Sequence, residues 1–312
     1  MTVQIIPRLG RHAKPEKPAE GPAEAKQRSA DTAVRSVGLA LTLLAVVVLG
    51  FVGYLYFLSG VQEARSQTNL YARLRGELAQ ETAPTGPVIP GRPGVTPASL
   101  AAVPGDPVAV LNIPAIGVTN MVIVEGTSPE NLTLGPGHLR DTPMPGQAGV
   151  SEIFGRRATF GAPFARLGDL QPGDLIQTIT GQGRSTYRVA AIGDSQVRIS
   201  DPEPNRLVLV TASSAFVPSY YTEVDARLVS VTRPGPAVVR VLNAPELALA
   251  GDDGALVLTF IWGMALAAVS ALGTFAAVRW SPWPAYLAAA PMALAVLWNL
   301  YQSLAALLPN LY

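Results

Sequence analysis

The sequence predicts an all-β barrel domain held at a membrane by one N-terminal and two C-terminal transmembrane helices. Three uncharged apolar runs are each long enough to cross the roughly 30 Å hydrocarbon core of a bilayer as a helix. They are Val37–Leu58, Leu256–Val278 and Pro284–Leu308. Between the first and second runs, short apolar stretches alternate with turn residues, a pattern typical of a β-barrel or sandwich. The composition, 49% hydrophobic and 14% charged, suits a membrane protein.

Taken in order, the chain begins with a polar, Pro- and Ala-rich segment in which basic residues outnumber acidic ones. This composition predicts a disordered tail on the cytoplasmic side. The predicted segments are the tail (1–35), the first transmembrane helix (36–59), a stalk with a Pro/Gly-rich linker (60–107), the barrel (108–233), a connector (234–254) and two more transmembrane helices (255–279 and 284–308).

The expected topology follows from the flanks of these helices. A cleaved signal peptide is the alternative for the first run, but such peptides have apolar cores of about 7–15 residues and shorter leading segments. The loop Arg279–Trp283 is so short that it forces a helical hairpin, and its arginine and tryptophans suit the cytoplasmic interface. We therefore expect a protein of the cytoplasmic membrane, with the N-terminus inside and the barrel and C-terminus outside.

The predicted barrel consists of short apolar runs separated by Gly, Pro, Asp and Asn clusters. In Ser185–Ile192 apolar and polar residues alternate, as in a half-buried strand, whereas Arg206–Ala212 is apolar on both faces. The runs are VAVLNI (Val108–Ile113), MVIV (Met121–Val124), LIQTIT (Leu175–Thr180), STYRVAAI (Ser185–Ile192), RLVLVTA (Arg206–Ala212) and DARLVSV (Asp225–Val231).

Composition excludes several classes of function. The chain has no cysteine, which rules out disulfides, thiolate nucleophiles and cysteine-bound metals. Two histidines, His12 and His138, are too few for a histidine-rich metal site. A net charge of +1 without a basic stripe gives no support for a nucleic-acid partner. We predict no cofactor and no metal; the expected partners are the lipid bilayer and a membrane or surface protein.

Residues 108–231 resemble the sortase domain, and are most similar to the class E or D type of Gram-positive bacteria. The resemblance implies a sortase-type barrel of about eight strands and says nothing about the C-terminal hairpin. The segments that carry it are LNIPAIGV (Leu111–Val118), VEGTSPENLTLGPGHL (Val124–Leu139), TPMPGQAG (Thr142–Gly149), RATFGAPFARLGDLQPGDLI (Arg157–Ile176), TYRV (Thr186–Val189) and LVLVT (Leu207–Thr211).

The resemblance also implies a catalytic set. Sortases attack a peptide carbonyl with a cysteine, move protons with a histidine and stabilise the oxyanion with an arginine. In this sequence the matching positions hold Arg156 for the histidine, Ala212 for the cysteine and Tyr221 for the arginine. A methyl group cannot attack a carbonyl, and an arginine stays protonated at physiological pH. We therefore expect a pseudo-sortase that is not an enzyme.

Other residues offer alternatives. Ser213 and Ser214 follow the nucleophile position directly and could support a serine-dependent hydrolase or transpeptidase, for which Arg156 is not a suitable base. Arg227 would replace Tyr221 if the register of that strand slipped. His138 is the single histidine of the barrel and is expected to have a structural or groove-lining role.

The predicted function is binding or scaffolding of a membrane or cell-surface partner. Its candidate site is the former substrate groove, lined by His138, Ser213, Ser214 and the adjacent cations Arg156 and Arg157, which could hold a carboxylate. The sequence leaves open whether this groove is free or is filled by the linker. A further alternative is a subunit of a transport or secretion complex that acts through its helical hairpin, where two intramembrane amides could contact a partner: Asn299 and Gln302.

Overall fold

The structure, a computed structural model, describes residues 22–87, 101–196, 199, 201–215, 219–236 and 243–312. The chain divides into two compact units, one ending at Gly50 and the other spanning Phe51–Tyr312. The first 21 residues of the predicted tail and residues 88–100 of the predicted linker lie outside the described residues.

Three helices are long and apolar enough to cross a membrane, one near the N-terminus and two near the C-terminus, as predicted. Helix α1 continues through a π-helical turn (Tyr54–Leu58) into α2, and α3 and α4 form the hairpin. The bounds are α1 Pro22–Gly53, α2 Ser59–Ala79, α3 Ala255–Arg279 and α4 Pro282–Leu307.

Helix α1 begins at Pro22, inside the segment predicted to be a disordered tail. Two physical reasons account for this difference. Residues 23–35 contain the strong helix formers Ala, Glu, Lys, Gln and Arg. A helix that is already nucleated by a long apolar segment also extends at little cost, because the unfavourable step is the first turn.

Helix α2 packs along the barrel, where the sequence predicted a free stalk. Leu74 is fully buried in a small cluster that includes Val110 and Val122 of the barrel. The side-chain amide of Gln67 donates to the carbonyl oxygens of Val122 (3.0 Å) and Leu134 (2.8 Å), while its oxygen accepts the Val122 N–H (2.7 Å). Helix α2 therefore forms part of the outer wall of the domain.

Eight strands close into a barrel, which confirms the predicted fold class. A separate parallel pair is formed by β1 and β2, and the barrel order is β10-β8-β7-β3-β4-β5-β6-β9. The strands are β1 Gly86–Pro87, β2 Ala101–Ala102, β3 Pro107–Ile113, β4 Val118–Glu125, β5 Gly137–His138, β6 Val150–Phe154, β7 Leu175–Thr180, β8 Gly183–Asp194, β9 Arg206–Ala212 and β10 Tyr221–Leu228.

Strand β9 contributes to two hydrophobic cores. Leu207 and Leu209 point into the barrel interior with Ile153 of β6. Val210 and Ala212 belong to a second cluster, because successive side chains of a strand face opposite ways. Burial on both faces explains why this strand is apolar at nearly every position.

The connector after the barrel docks onto it. Arg140 makes a two-pronged ion pair with Glu246, and the Thr127 hydroxyl donates to the Glu246 carbonyl oxygen at 2.7 Å. Asn243 and Glu246 form a reciprocal cap for a single 3₁₀ turn. Residues 237–242 of this connector lie outside the described residues.

Candidate functional site

The ends of β6, β9 and β10 bring the sequence-predicted positions together. Strands β6 and β9 run parallel, with Phe154 opposite Val210. Strand β10 begins at Tyr221, which pairs with Ala212 at the end of β9. Arg156 is two residues beyond the end of β6. These residues therefore lie at one end of three adjacent strands, although they are far apart in sequence.

Arg227, the alternative to Tyr221, lies at the other end of the β9–β10 ladder. It pairs with Arg206 at the start of β9 and makes an ion pair with Asp201 at 2.6 Å. The structure thus does not bring Arg227 to the strand ends that carry Ala212 and Arg156.

Gly155 allows the chain to leave β6 without a collision. A Cβ atom at this position would lie 2.3 Å from the ring of Phe164, which is fully buried. The Gly155 N–H donates to the Val210 carbonyl oxygen at 2.9 Å, and the Thr211 hydroxyl donates to the Gly155 carbonyl oxygen at 2.8 Å. The glycine thus fixes the relative position of the two strand ends.

Arg156 is fully buried and supports the wall of the site. Its Nε donates to the Leu132 carbonyl oxygen (3.1 Å), Nη2 to the Pro129 carbonyl oxygen (2.9 Å) and Nη1 to the Thr159 hydroxyl (3.3 Å). The guanidinium lies 4.8 Å from the ring centroid of Phe160. Burial lowers the pKa of Arg156 to about 10, so the group is still charged at neutral pH.

The predicted use of Arg156 as a ligand-binding cation does not fit this geometry, because the side chain is enclosed and its donors serve the protein's own oxygens. Arg157 is more open: it is half-buried, and its Nη1 donates to the Ala212 carbonyl oxygen at 3.3 Å. The two adjacent arginines therefore have different environments and do not form a cation pair that faces a ligand.

Apolar side chains form a cleft on the outer face of β6 and β9. Its walls are Phe154, Val210 and Ala212 from the strands, with Leu132 and Leu139 from the preceding loops. Ala212 has no exposed surface.

The cleft is already occupied. Leu311, which follows α4, belongs to the same cluster and is itself fully buried. The sequence left open whether the groove is free or filled by the linker; in the structure residues 309–312 fill it.

His138 is buried and tied to its neighbours through both ring nitrogens. Nδ1 lies 2.9 Å from Oε2 of Glu125, and Nε2 lies 3.0 Å from the Pro143 carbonyl oxygen and 3.1 Å from the Thr142 hydroxyl. Burial on its own lowers the pKa of His138, but the Glu125 carboxylate, the Pro143 carbonyl oxygen and the Asp141 charge together raise the pKa above its ordinary value. The raised pKa favours the imidazolium form of His138, whose contact with Glu125 links β5 to β4.

The two serines lie just beyond β9. Ser213 is half-buried and its N–H donates to the Tyr220 carbonyl oxygen at 3.0 Å; Ser214 is also half-buried. A serine nucleophile needs a base within hydrogen-bond reach. His138 is the one histidine in the described part of the chain, and both of its nitrogens already face other acceptors. The geometry of His138 thus gives no support to a serine–histidine pair.

A cavity of about 680 Å³ lies between a barrel loop and the helices, and sequence reasoning did not find it. Gln302 and Asn299, the amides noted in the last span, line it together with Trp262 of α3 and Asn131 of the barrel. Asn299 donates to the Ala295 carbonyl oxygen of its own helix at 2.8 Å. Only the tertiary structure brings these segments together, so no local sequence pattern predicts the cavity.

Within the described residues, no group of three or more His, Asp or Glu side chains is arranged to hold a metal ion. Sequence reasoning also missed the role of residues 309–312, because a short segment after an apolar helix carries no pattern that distinguishes a turn docked on the barrel from one exposed to solvent.

Comparison with known proteins identifies the barrel. Residues 111–234 match the family model of the sortase domain. Sortase D of Bacillus subtilis is 30% identical over 112 residues, which are 34% of this chain and 54% of that protein. Sortase SrtE1 of Streptomyces coelicolor is 29% identical over 224 residues, 65% of this chain and 59% of that protein. The chain thus spans little more than half the length of these two curated relatives.

A solved structure extends the comparison. Sortase E1 of Streptomyces coelicolor is 32% identical to this chain, with 42% of this chain and 92% of that chain covered and a TM-score of 0.37.

These matches correct one prediction. We expected that the protein is not an enzyme, but the family that it matches consists of cysteine transpeptidases, and nothing in the matches marks this chain as inactive. The residue types at three aligned positions were too narrow a basis for that conclusion. The sequence itself establishes only that none of its 312 residues is a cysteine.

The closed barrel and the matched segment lead to one assignment. Residues 111–234 match the sortase domain, and this part of the chain folds as a sortase-type barrel.

Proposed function

We propose that this protein is anchored in the cytoplasmic membrane and uses its sortase-type barrel, on the outer side, to bind a short segment of a membrane or surface protein. The binding site is the cleft on the outer face of β6 and β9. One observation carries the proposal: this cleft combines a cluster of buried apolar side chains with a backbone N–H donor at its rim, and a stretch of the protein's own chain already fits it.

Two kinds of contact make the cleft suitable for a peptide. Phe154, Val210 and Ala212 provide an apolar floor that can bury one large aliphatic side chain. At the rim, the Arg157 N–H points at a carbonyl oxygen of the occupant, at 3.0 Å. The main-chain hydrogen bond adds affinity, and the apolar floor selects the side chain that enters the cleft.

The proposed topology rests on which helix ends meet the barrel. Tyr54, at the end of the first span, lies 6.3 Å from Phe160 of the barrel and 5.3 Å from Trp298 near the end of α4, measured between ring centroids. The ends of the first and last spans are thus on the barrel side. The α3–α4 loop lies at the opposite end of the hairpin, where Arg279 suits the cytoplasmic interface.

Site-specific photocrosslinking in native membranes tests the proposal. A photoreactive residue at Ser213, on the rim of the cleft, should capture a partner protein, whereas the same residue at Val231, which is 79% exposed and outside the cleft cluster, should not. Ala212→Trp should abolish the crosslink, because the cluster has no room for an indole. Val231→Trp is the matched control and should leave capture unchanged.

A melting curve of the purified Ala212→Trp protein shows whether it still folds. If the folded Ala212→Trp protein captures the same partner as the wild type, the cleft is not the binding site. Capture through the helical hairpin would then be the function to pursue, and a crosslinker at Gln302 would test it.

A further inference from the structure

The four residues that follow α4 are bound by the barrel as a ligand would be. Helix α4 ends at Leu307, and Leu308 adopts an extended conformation before Pro309, as a residue preceding proline prefers. The chain then turns away from the helix axis and enters the cleft, where Asn310 and Leu311 are both fully buried.

Asn310 is recognised through its side-chain amide. Nδ2 donates to the carbonyl oxygens of Thr127 (3.0 Å) and Leu247 (2.9 Å), and the backbone N–H donates to the Ala250 carbonyl oxygen (2.8 Å). The acceptors lie in the barrel and in the connector, so the amide of Asn310 is bound by two separate segments of the chain.

Leu311 and Tyr312 are held by different groups. The Leu311 side chain fills the apolar cleft, and its carbonyl oxygen accepts the Arg157 N–H at 3.0 Å. The Tyr312 carbonyl oxygen accepts the Thr159 hydroxyl at 2.7 Å. The Tyr312 hydroxyl lies 2.7 Å from that of Tyr56, at the end of the first span. The segment is thus in contact with the barrel and with a transmembrane helix.

We propose that residues 309–312, which form a turn closed by a hydrogen bond from the Tyr312 N–H to the Pro309 carbonyl oxygen at 3.0 Å, are an intramolecular ligand that closes the cleft. We propose further that the cleft accepts from other proteins short turn-forming segments in which an asparagine is followed by a large aliphatic residue. This inference rests on the proposed function, since it names the ligand class of the same cleft. Internal and external segments would need the same pocket, so binding of one excludes the other.

Leu311 is the residue on which closure depends. Truncating a fully buried leucine to alanine removes most of the apolar area that holds the segment, which is enough to shift a docking equilibrium by at least about tenfold. Leu175, which is 40% exposed on β7 and outside the cleft cluster, provides a matched control for the same truncation.

Hydrogen exchange at single amides of the full-length protein reports the docking. The Arg157 N–H is covered by the Leu311 carbonyl oxygen, whereas the Gly155 N–H is bonded to Val210 inside the barrel. Leu311→Ala should accelerate exchange at Arg157 by about tenfold or more and leave Gly155 unchanged. Leu175→Ala should change neither. Unprotected Arg157 in the wild type, or equal protection in wild type and Leu311→Ala, would overturn the proposal.

A synthetic peptide tests the ligand class. An N-acetylated peptide with the sequence of residues 307–312, LLPNLY, should restore protection of the Arg157 amide when it is added to the Leu311→Ala protein. Peptides with alanine in place of the asparagine, or in place of the leucine that corresponds to Leu311, should fail to do so. If all three peptides act alike, the cleft does not read an asparagine–aliphatic pair.

The two proposals can fail separately. Unchanged protection at Arg157 in Leu311→Ala would refute the intramolecular ligand, even if a crosslinker at Ser213 captures a partner. Restored protection by the peptide, with no partner captured in membranes, would refute the proposed function and leave the intramolecular ligand standing.

Discussion

The buried pair of Glu125 and His138 predicts a characteristic dependence of stability on pH. The pKa of His138 is raised in the folded protein, so its contribution to stability is fully present below the unfolded pKa of about 6.5. It is lost as pH rises through the folded pKa. In that window the free energy of unfolding should fall by up to about 1.4 kcal/mol per pH unit.

Glu125→Gln removes the carboxylate that raises this pKa. Burial then dominates and the folded pKa of His138 falls below its ordinary value. The slope should therefore reverse: the variant loses stability as pH falls below about 6.5. At pH 6 the loss relative to wild type should be about 3–5 kcal/mol, the cost of breaking a buried pair by removing one partner.

Denaturant unfolding of the detergent-solubilised full chain, followed between pH 5 and pH 9 (about 1.5 units below to about 2.5 units above the unfolded pKa), provides the measurement. Glu130→Gln is the matched control, because Glu130 is an exposed carboxylate outside this pair, and it should follow the wild-type curve. Parallel pH profiles for wild type and Glu125→Gln would show that His138 is not held as a cation and would refute the reasoning.

Two packing predictions follow from the same structure. Gly155→Ala should lower the free energy of unfolding, measured by thermal melting, by about 1–3 kcal/mol or more, because the new methyl group would collide with Phe164. Gly168→Ala is the control: no atom lies within 4 Å of the new methyl group, so its melting curve should lie close to that of the wild type. Leu74→Ala should lower the free energy of unfolding by about 2–5 kcal/mol and should loosen α2 from the barrel, so that a protease cleaves α2 faster. Leu175→Ala, at an exposed leucine, should leave the rate of cleavage unchanged. Equal cleavage of the two variants would show that α2 does not depend on the Leu74 contact.

The fold class could be predicted from sequence because its signals are local. Apolar runs such as Leu256–Val278 reveal a membrane span by length alone, and alternation in Ser185–Ile192 reveals a strand. The number of strands in the barrel came from the resemblance to a known family, and their order came from the structure, since strand pairing is a tertiary property. The helical residues 22–35 were missed because low hydrophobicity indicates disorder only where no neighbouring helix extends into the segment.

The site was predictable as a set of positions but not as an environment. The sequence placed Arg156, Ala212 and Tyr221 together, and the strand ends do bring them to one place. It could not show that Arg156 is enclosed, because the enclosing oxygens belong to Pro129 and Leu132, more than twenty residues away in sequence. Nor could it show Leu311 in the cleft, since that contact joins segments about a hundred residues apart in sequence.

Arg156, Ala212 and Tyr221, the positions singled out in the sequence, all lie around one feature, the cleft that holds the segment after α4. Ala212 shares its cluster with Leu311, so its small side chain leaves space for the leucine. Arg156 holds the carbonyl oxygen of Leu132, a wall of the same pocket.

Arg157 donates its N–H to the Leu311 carbonyl oxygen, and Tyr221 packs against the cluster from β10. A histidine in place of Arg156 is too short and has too few donors to reach the same three oxygens, and a larger residue in place of Ala212 would compete with the leucine for volume. The residue types at these positions are therefore explained by a cleft that holds residues 309–312, and this explanation requires no assumption about the chemistry of the protein.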